Sequence, residues 1–575
     1  MHIQPGNSGD CVQCSVTTHS LDQTPDFEAL SYTWGDPARR RSILCNQKSL
    51  QVGYNLWEAF QHLRYPDRSR TMWIDAICIN QADIVERGEQ VQLMDKIYRQ
   101  AASVIVWLGA ASKNSSAAFR LIHQLHTIAE ATSLEDRDKP LITAEIERSE
   151  LPARYNADWE ALDSIFWRAW FKRVWIIQEV VVARSAVVFC GGDSIHWDAF
   201  AVVADFISRR QLGSLTAVDP STLIPILGVR NSYRNTEEMS LLTLLVSFRQ
   251  SLATNPIDKV YALLNIASDV SIIPDYRVPM NDLFREVCTT YLQRSLDILS
   301  LNGDTAWKQQ EGLPSWVPDW SSTLLEMSFL FSYGMLARLA FRADGNTSPH
   351  WRLAENGNKI LIRGKLLGRV KTMGETLIFG NGNVLLRNLH MQDTGRKLAE
   401  STHWWILALV IRHWERLILR LKRYPTGEDI RAVLHKTLIA NASLDIQSGS
   451  DPTDLARLYS LYRKQYAMPL KWPDIQVERD LVDIQVYGQA VLNAAYGRRI
   501  FVSRDGYVGL CPYSTRRGDC VVVFHGGKTA YILREKHTKA SKSFKFVGEA
   551  YVHGFMDGEA FQSDSTYIDE KFGIV

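Results

Sequence analysis

Three short stretches hold the acids, amides and aromatic residues whose types and spacing could do chemistry. The first is Glu28-Ala-Leu-Ser-Tyr-Thr-Trp-Gly-Asp36. Gly35-Asp36-Pro37 is a turn signal, so Ser31, Tyr32 and Asp36 fall at the carboxyl end of a short apolar strand; a plain strand and tight turn with Trp34 as core accounts for the same stretch. The second is Trp73-Ile-Asp-Ala-Ile-Cys-Ile-Asn-Gln-Ala-Asp-Ile-Val-Glu-Arg87. Asp75 lies in an apolar run, where an ionised carboxylate is costly unless it is paired or sits at an open strand end. Asn80, Gln81 and Asp83 precede a helix start, whose free amides suit a phosphate or carboxylate. Asp83, with Glu86 three residues on, also reads as a helix cap. The third is Arg173-Val-Trp-Ile-Ile-Gln-Glu-Val-Val-Val-Ala183, apolar from Val174 onward except for Gln178 and Glu179. A helix apolar on all sides is buried, so Glu179 is a carboxylate carried into an interior or a cleft. Trp175, four residues earlier, shares its helical face. Burial would raise the pKa of Glu179, as happens in catalytic sites. A structural pairing with Arg70 or Arg99 accounts for the same residue equally well.

The elements that must position these residues alternate along the chain. Phe27–Tyr32, Thr71–Ile79 and Ser103–Leu108 are strand-like, the last a continuous apolar run of the kind buried on both sheet faces. Between them, Tyr54–Leu63 has helical spacing, and the helix opened by Asp83 buries Val91, Met94, Ile97 and Tyr98. This alternation predicts a parallel sheet with helices on both faces. Phe27–Tyr32, Met72–Asp75 and Val104–Leu108 should be neighbouring parallel strands. Ligands bind such sheets beyond the carboxyl ends of the strands, so the segments after Tyr32, Asp75 and Leu108 are where a site belongs. Glu179 is expected to face an open cleft shared with Asp75 and Tyr32. The reading divides the chain into an α/β domain (1–210), a mainly helical extension (211–490) and a β-rich unit (491–575). Gly506 and Gly526-Gly527 should lie in turns of the last unit. Leu134 to Tyr155 reads as a surface excursion, and residues 350 to 380 as β-like.

Composition narrows the function classes. A chain of 575 residues needs two or three cores. Its 65 basic and 63 acidic residues leave no global field to attract nucleic acid, so a nucleic-acid partner is not expected. Neither a dinucleotide-binding glycine fingerprint nor a P-loop occurs, and H-E-x-x-H and G-x-S-x-G are absent. Cys11 and Cys14 form a lone C-x-x-C without partners at zinc-finger spacing, so no metal and no disulfide framework are expected. Trp404 to Leu421 is interrupted by Arg412, Glu415, Arg416 and Arg420, which predicts an amphipathic helix rather than a membrane span. With no secretory signal at Met1 to Asp10, a cytoplasmic location is expected.

Taken in order, and with Ile105-Val-Trp-Leu-Gly109 between the second and third, the three clusters resemble the signature of the fungal heterokaryon-incompatibility (HET) domain. Ala253-Thr-Asn-Pro-Ile-Asp-Lys-Val-Tyr-Ala-Leu-Leu264, Pro274-Asp-Tyr276, Leu313-Pro-Ser-Trp-Val-Pro-Asp-Trp320 and Arg499-Ile-Phe-Val-Ser-Arg-Asp-Gly-Tyr-Val-Gly509 resemble the extension of long HET proteins. One departure is Asn265, where the family often has Gly. The resemblance implies a role in non-self recognition and regulated cell death, with the domain acting as an interaction or self-assembly module. It also implies a flavodoxin-like fold akin to the Toll/interleukin-1 receptor (TIR) domain. Enzymatic TIR domains hydrolyse NAD+ with the Glu of a Trp-x-x-x-Glu helix motif, which Trp175 and Glu179 match. The alternative the resemblance implies is therefore a NAD+ glycohydrolase, with NAD+ as substrate and no cofactor. Glu179 would be catalytic, with Trp175, Asp75, Tyr32, Trp34, Asp36, Asn80 and Gln81 binding substrate.

Overall fold

The computed structural model describes residues 1–575 except 134, 138, 140–150, 154–155, 211, 217, 304–311, 323–327, 332–336, 339, 355–356, 379–406, 408, 445–450, 468–477, 538–541 and 564. The chain forms two compact units, Met1–Met280 and Asn281–Val575. The first therefore runs past the expected boundary at 210, and most of the expected surface excursion at 134–155 lies outside the described residues.

The first unit is built on a nine-stranded mixed sheet. Its strands are β1 (His2–Ile3), β2 (Gln13–Ser15), β3 (Glu28–Tyr32), β4 (Arg40–Cys45), β5 (Lys48–Gly53), β6 (Arg70–Trp73), β7 (Ser103–Trp107), β8 (Ala186–Cys190) and β9 (Asp193–His196). They are ordered β5-β4-β2-β1-β6-β3-β7-β8-β9. The strands expected to be parallel neighbours are so: β3 pairs in parallel with β6 and with β7, and β7 with β8. Both flanks end in antiparallel pairs, β4 with β5 and β8 with β9. Asp75 is not a strand residue. It opens a one-turn helix, α2 (Asp75–Cys78), directly after β6.

Sequence pattern explains these choices. Val104 to Trp107 of β7 are all buried, because a strand paired on both sides and covered on both faces has no solvent side. The helix α1 (Tyr54–Leu63) turns Leu56, Phe60 and Leu63 inward, onto a core with Leu30, Met72, Ile105 and Trp107. The helix α3 (Ile84–Gln100) starts at Asp83, whose carboxylate accepts from the amides of Val85 (2.9 Å) and Glu86 (3.2 Å). It buries Val91, Met94, Ile97 and Tyr98, the expected face. Next come α4 (Ser115–Ala131), α5 (Ala157–Phe166), α6 (Trp175–Val181) and α7 (Trp197–Arg209). The unit is completed by α8 (Ile224–Arg234), α9 (Leu241–Ser247) and α10 (Asp258–Leu264), the last packed on α6.

The second unit carries α11 (Met280–Leu292), β10 (Trp351–Ala354), β11 (Lys359–Thr376), α12 (Ile430–Leu438), α13 (Leu455–Ala467) and α14 (Glu478–Ala495). The strands β12 (Arg498–Ser503), β13 (Val508–Pro512), β14 (Cys520–Phe524), β15 (Ala530–His537), β16 (Lys542–Val552) and β17 (Asp569–Ile574) follow. Their sheet runs β10-β11-β12-β13-β16-β15-β14, and β14 pairs back onto β11. The ring from β11 to β14 is therefore a closed barrel, which leaves those strands no free edge. Closing it needs β11, which lies far upstream of the expected start at 491. At eighteen residues, β11 pairs in turn with β17, β14 and β12. A register shift falls at Gly368, whose φ of 150° is a conformation that side chains disfavour. Gly506 and Gly526 take positive φ in turns, as expected. The helix at 409–418 is amphipathic, burying Val410, Ile411, Trp414 and Ile418. Among the described residues no helix is long and apolar enough to cross a membrane.

Candidate functional site

The carboxyl ends of β3 and β6 and the start of α6 converge on one cluster of polar groups. Glu179 is 2% exposed. Its carboxylate accepts a hydrogen bond from the Ser31 hydroxyl, which in turn accepts from the indole N–H of Trp170 at 2.8 Å. Tyr32, the last residue of β3, is buried beside it, and its carbonyl accepts from the Arg173 guanidinium. The Asp75 carboxylate accepts from the Trp34 indole N–H (2.9 Å) and from the Ala76 amide (2.7 Å). Trp34, 45% exposed, forms the solvent rim of the cluster.

The electrostatics are those of several acids around one cation. Burial pushes the Glu179 carboxyl up to about 7, while Arg173 and the Ser31 hydrogen bond act against it and Asp75 adds to the rise. Burial likewise raises Asp75, opposed by Arg173 and by the bond from Trp34. The Tyr32 hydroxyl is held well above its ordinary value by the same burial. A carboxyl poised near neutrality can exchange a proton at physiological pH. Here it is enclosed.

The open cleft expected at Glu179 is thus not what the structure shows. The ordering of Ser31, Trp170 and Arg173 around the carboxylate closes it off. Neither arginine considered as its partner is nearby: Arg70 pairs with Glu28 at 2.9 Å and Arg99 with Asp95 at 2.9 Å. The neighbouring cation is Arg173.

The remaining site candidates separate. Trp175 faces a second constellation, where its indole N–H donates to Asp258 at 3.2 Å. Tyr276 donates its hydroxyl to the same carboxylate at 2.9 Å, and Arg87 lies 4.0 Å over the Tyr276 ring. Burial raises the Asp258 carboxyl, and the bonds from Tyr276 and Trp175 lower it. Gln81 supports the first cluster from below, donating its side-chain amide to the Asp75 carbonyl at 3.0 Å. Asn80 and Asp36 do not join it. The Asn80 amide donates to Glu86 at 2.9 Å and its side chain accepts from Ala82, so it shapes the approach to α3. Asp36 is exposed and accepts from the Ala38 amide at 2.9 Å, a turn role.

Sequence reasoning missed Trp170 as the donor beneath Ser31, and it missed Asp258 and Tyr276 altogether as site residues. The strings around those last two, Asn255-Pro-Ile-Asp258 and Pro274-Asp-Tyr276, were visible, but nothing local ties them to Trp175. All eight cysteines are free thiols. Cys14 and Cys45 face each other across β2 and β4, and burial, with Cys45 beside it, lifts the Cys14 thiol to about 12.

A mixed α/β domain with acids gathered beyond its parallel strands, followed by a closed β-barrel, defines a two-part architecture, and both parts match known families. Residues 27–179 match the model of the heterokaryon incompatibility protein (HET) family, and residues 459–567 that of the Het-6 β-barrel domain. Residues 27–179 therefore carry a HET domain. The chain is 26% identical over 649 aligned positions to heterokaryon incompatibility protein 6, OR allele, of Neurospora crassa, covering 96% of this chain and 92% of that relative. No solved structure matches it.

Proposed function

We propose that the protein acts in fungal non-self recognition, triggering regulated cell death through its HET domain as an interaction and self-assembly module. The carrying observation is collinearity: the HET match, the barrel match and the likeness to a heterokaryon incompatibility protein span nearly the whole chain in one order. The site geometry supports this reading better than a NAD+ glycohydrolase. A glycohydrolase needs its carboxylate beside a substrate ribose, whereas Glu179 is enclosed and held by Ser31. The exposed groups at the same edge are Trp34 and, at the start of α3, Ile84 and Val85, which suit contact with protein. The parallel run β6-β3-β7-β8 is the part of the sheet on which a TIR-like reading rests. A cytoplasmic site of action and a protein partner or a second copy of the chain follow from this reading.

Inducible expression of the full chain in a filamentous fungus tests it, with viability scored by dye exclusion. A Trp107→Asp variant, which puts a charge in the fully buried centre of β7, is the control. Death with the wild type and survival with the variant are expected. Healthy hyphae accumulating the intact wild-type protein would overturn the proposal.

A further inference from the structure

The second unit contains a pocket of about 860 Å³ between the helix at 409–418, α12 and α13. That volume is within the range of small-molecule sites, roughly 300–1,000 Å³. Such sites are mostly apolar, but this one is ringed by guanidinium groups. Arg412 and Arg416 sit four residues apart on one helix and both line it, an arrangement in which like charges repel. Arg431, at the start of α12, and Arg463, on α13, face the same space.

The carboxylates around the pocket are already engaged. Asp429 caps α12, accepting from the amides of Arg431 and Ala432 at 3.0 Å each. Asp454 caps α13, accepting from the Arg457 amide at 3.0 Å. Glu415 pairs with Arg463 at 3.2 Å. Arg412, Arg416 and Arg431 have no ion pair among the described residues, and with Lys436 and Arg463 the cations lining the pocket outnumber its carboxylates Glu415, Asp429 and Asp454, so a net positive charge remains. The Tyr459 ring lines the pocket, tilted against His435 with ring centroids 4.4 Å apart. The Tyr459 hydroxyl is buried beside Glu415.

We propose that this pocket binds a phosphorylated small molecule, with Arg412, Arg416 and Arg431 taking the phosphate oxygens. Guanidinium forks match phosphate geometry bidentately, which point charges do not. The site lies outside the HET match and gives the second unit a soluble ligand of its own.

Calorimetric titration of the full chain with sodium tripolyphosphate, and separately with ATP, tests the proposal. Saturable binding of one equivalent, weakening as salt is raised, is expected. An Arg416→Gln/Arg431→Gln double variant removes two exposed side chains and should bind about 100-fold more weakly. Arg420→Gln, exposed and outside the pocket, should bind like the wild type. Absence of binding to both probes, or equal binding by the double variant, would overturn the proposal. So would capture of the wild type by vesicles carrying phosphatidylinositol bisphosphate together with silence towards the free probes.

Discussion

Ser31 and Glu179, 148 positions apart in the chain, are joined by a hydrogen bond in the interior of the HET domain. The bond links the carboxyl end of β3 to α6, so two motif stretches that read separately in the sequence form one structural unit. Arg173 adds the charge that this unit needs, bound to the Tyr32 carbonyl and close to both Glu179 and Asp75.

The raised Glu179 pKa makes stability depend on pH in a defined direction. Its usual value is 4.5 and its folded value about 7. Between those two values the unfolded chain has released the proton and the folded chain still holds it. Stability therefore falls as pH rises through this window, and the loss is complete above about 7. Glu179→Gln removes this contribution, since an amide can still accept from Ser31 and does not ionise. The melting temperature of the variant minus that of the wild type should thus increase from pH 4.5 to pH 7. Taking the difference cancels Glu549, which is likewise raised to about 7. A flat difference would contradict the buried-acid account.

Arg173→Met should be among the most damaging single changes in the first unit. It leaves the Tyr32 carbonyl without its donor and leaves Glu179 and Asp75 without their shared cation. Removing one side of such an arrangement costs about 3 kcal/mol or more. Urea unfolding of the full protein should show the loss, and Arg173→Lys should recover part of it. Equal stability of the Met variant and the wild type would mean that the charge is screened.

Much of this was legible in the sequence where the signal is local. The run Ser103–Trp107 announces a fully buried parallel strand, because no solvent face interrupts it. Asp83 announces the start of α3, because a cap needs only its next few residues. The acid in α6 was visible because six buried residues in a row include it. What stayed hidden depends on distant partners. Arg173 reads as the last charge before an apolar helix, and its meeting with the Tyr32 carbonyl spans 141 positions. Strand β11 shows its β character but not its barrel-closing role, which rests on pairings with β14 and β17 more than 150 residues away. The edge pair β4–β5 is mostly exposed and carries little apolar pattern. Asp36 looked like a site residue because a turn at a strand end and a ligand-binding loop use the same residue types.

The barrel contains its own buried pair. Arg498, 1% exposed, lies 3.5 Å from Glu549 and 3.8 Å over the Phe329 ring. Arg498→Met should cost about 3–5 kcal/mol, because it leaves Glu549 buried without its cation. Changing both residues, Arg498→Met with Glu549→Leu, should restore part of that loss, since no charge is then stranded. Chemical denaturation of the two variants checks the order. A double variant less stable than the single one would show that Glu549 acts chiefly through its bond from the Phe329 amide, made at 2.7 Å.

The final prediction separates the surface from the interior of the HET domain. If the domain signals by contact, the exposed indole of Trp34 matters more than the enclosed carboxylate of Glu179. Trp34→Ala removes a half-exposed ring and one hydrogen bond to Asp75, a stability change of about 1 kcal/mol. Glu179→Gln keeps the shape of the interior and the Ser31 bond. In the fungal expression assay, Trp34→Ala should therefore lose most killing while melting near the wild-type temperature, and Glu179→Gln should kill as the wild type does. A glycohydrolase predicts the reverse, with Glu179→Gln folded and harmless and cellular NAD+ preserved. Measuring viability, NAD+ and thermal melting on the same pair of variants distinguishes the two. A harmless, well-folded Glu179→Gln would transfer the function from the exposed edge of the sheet to its buried acid.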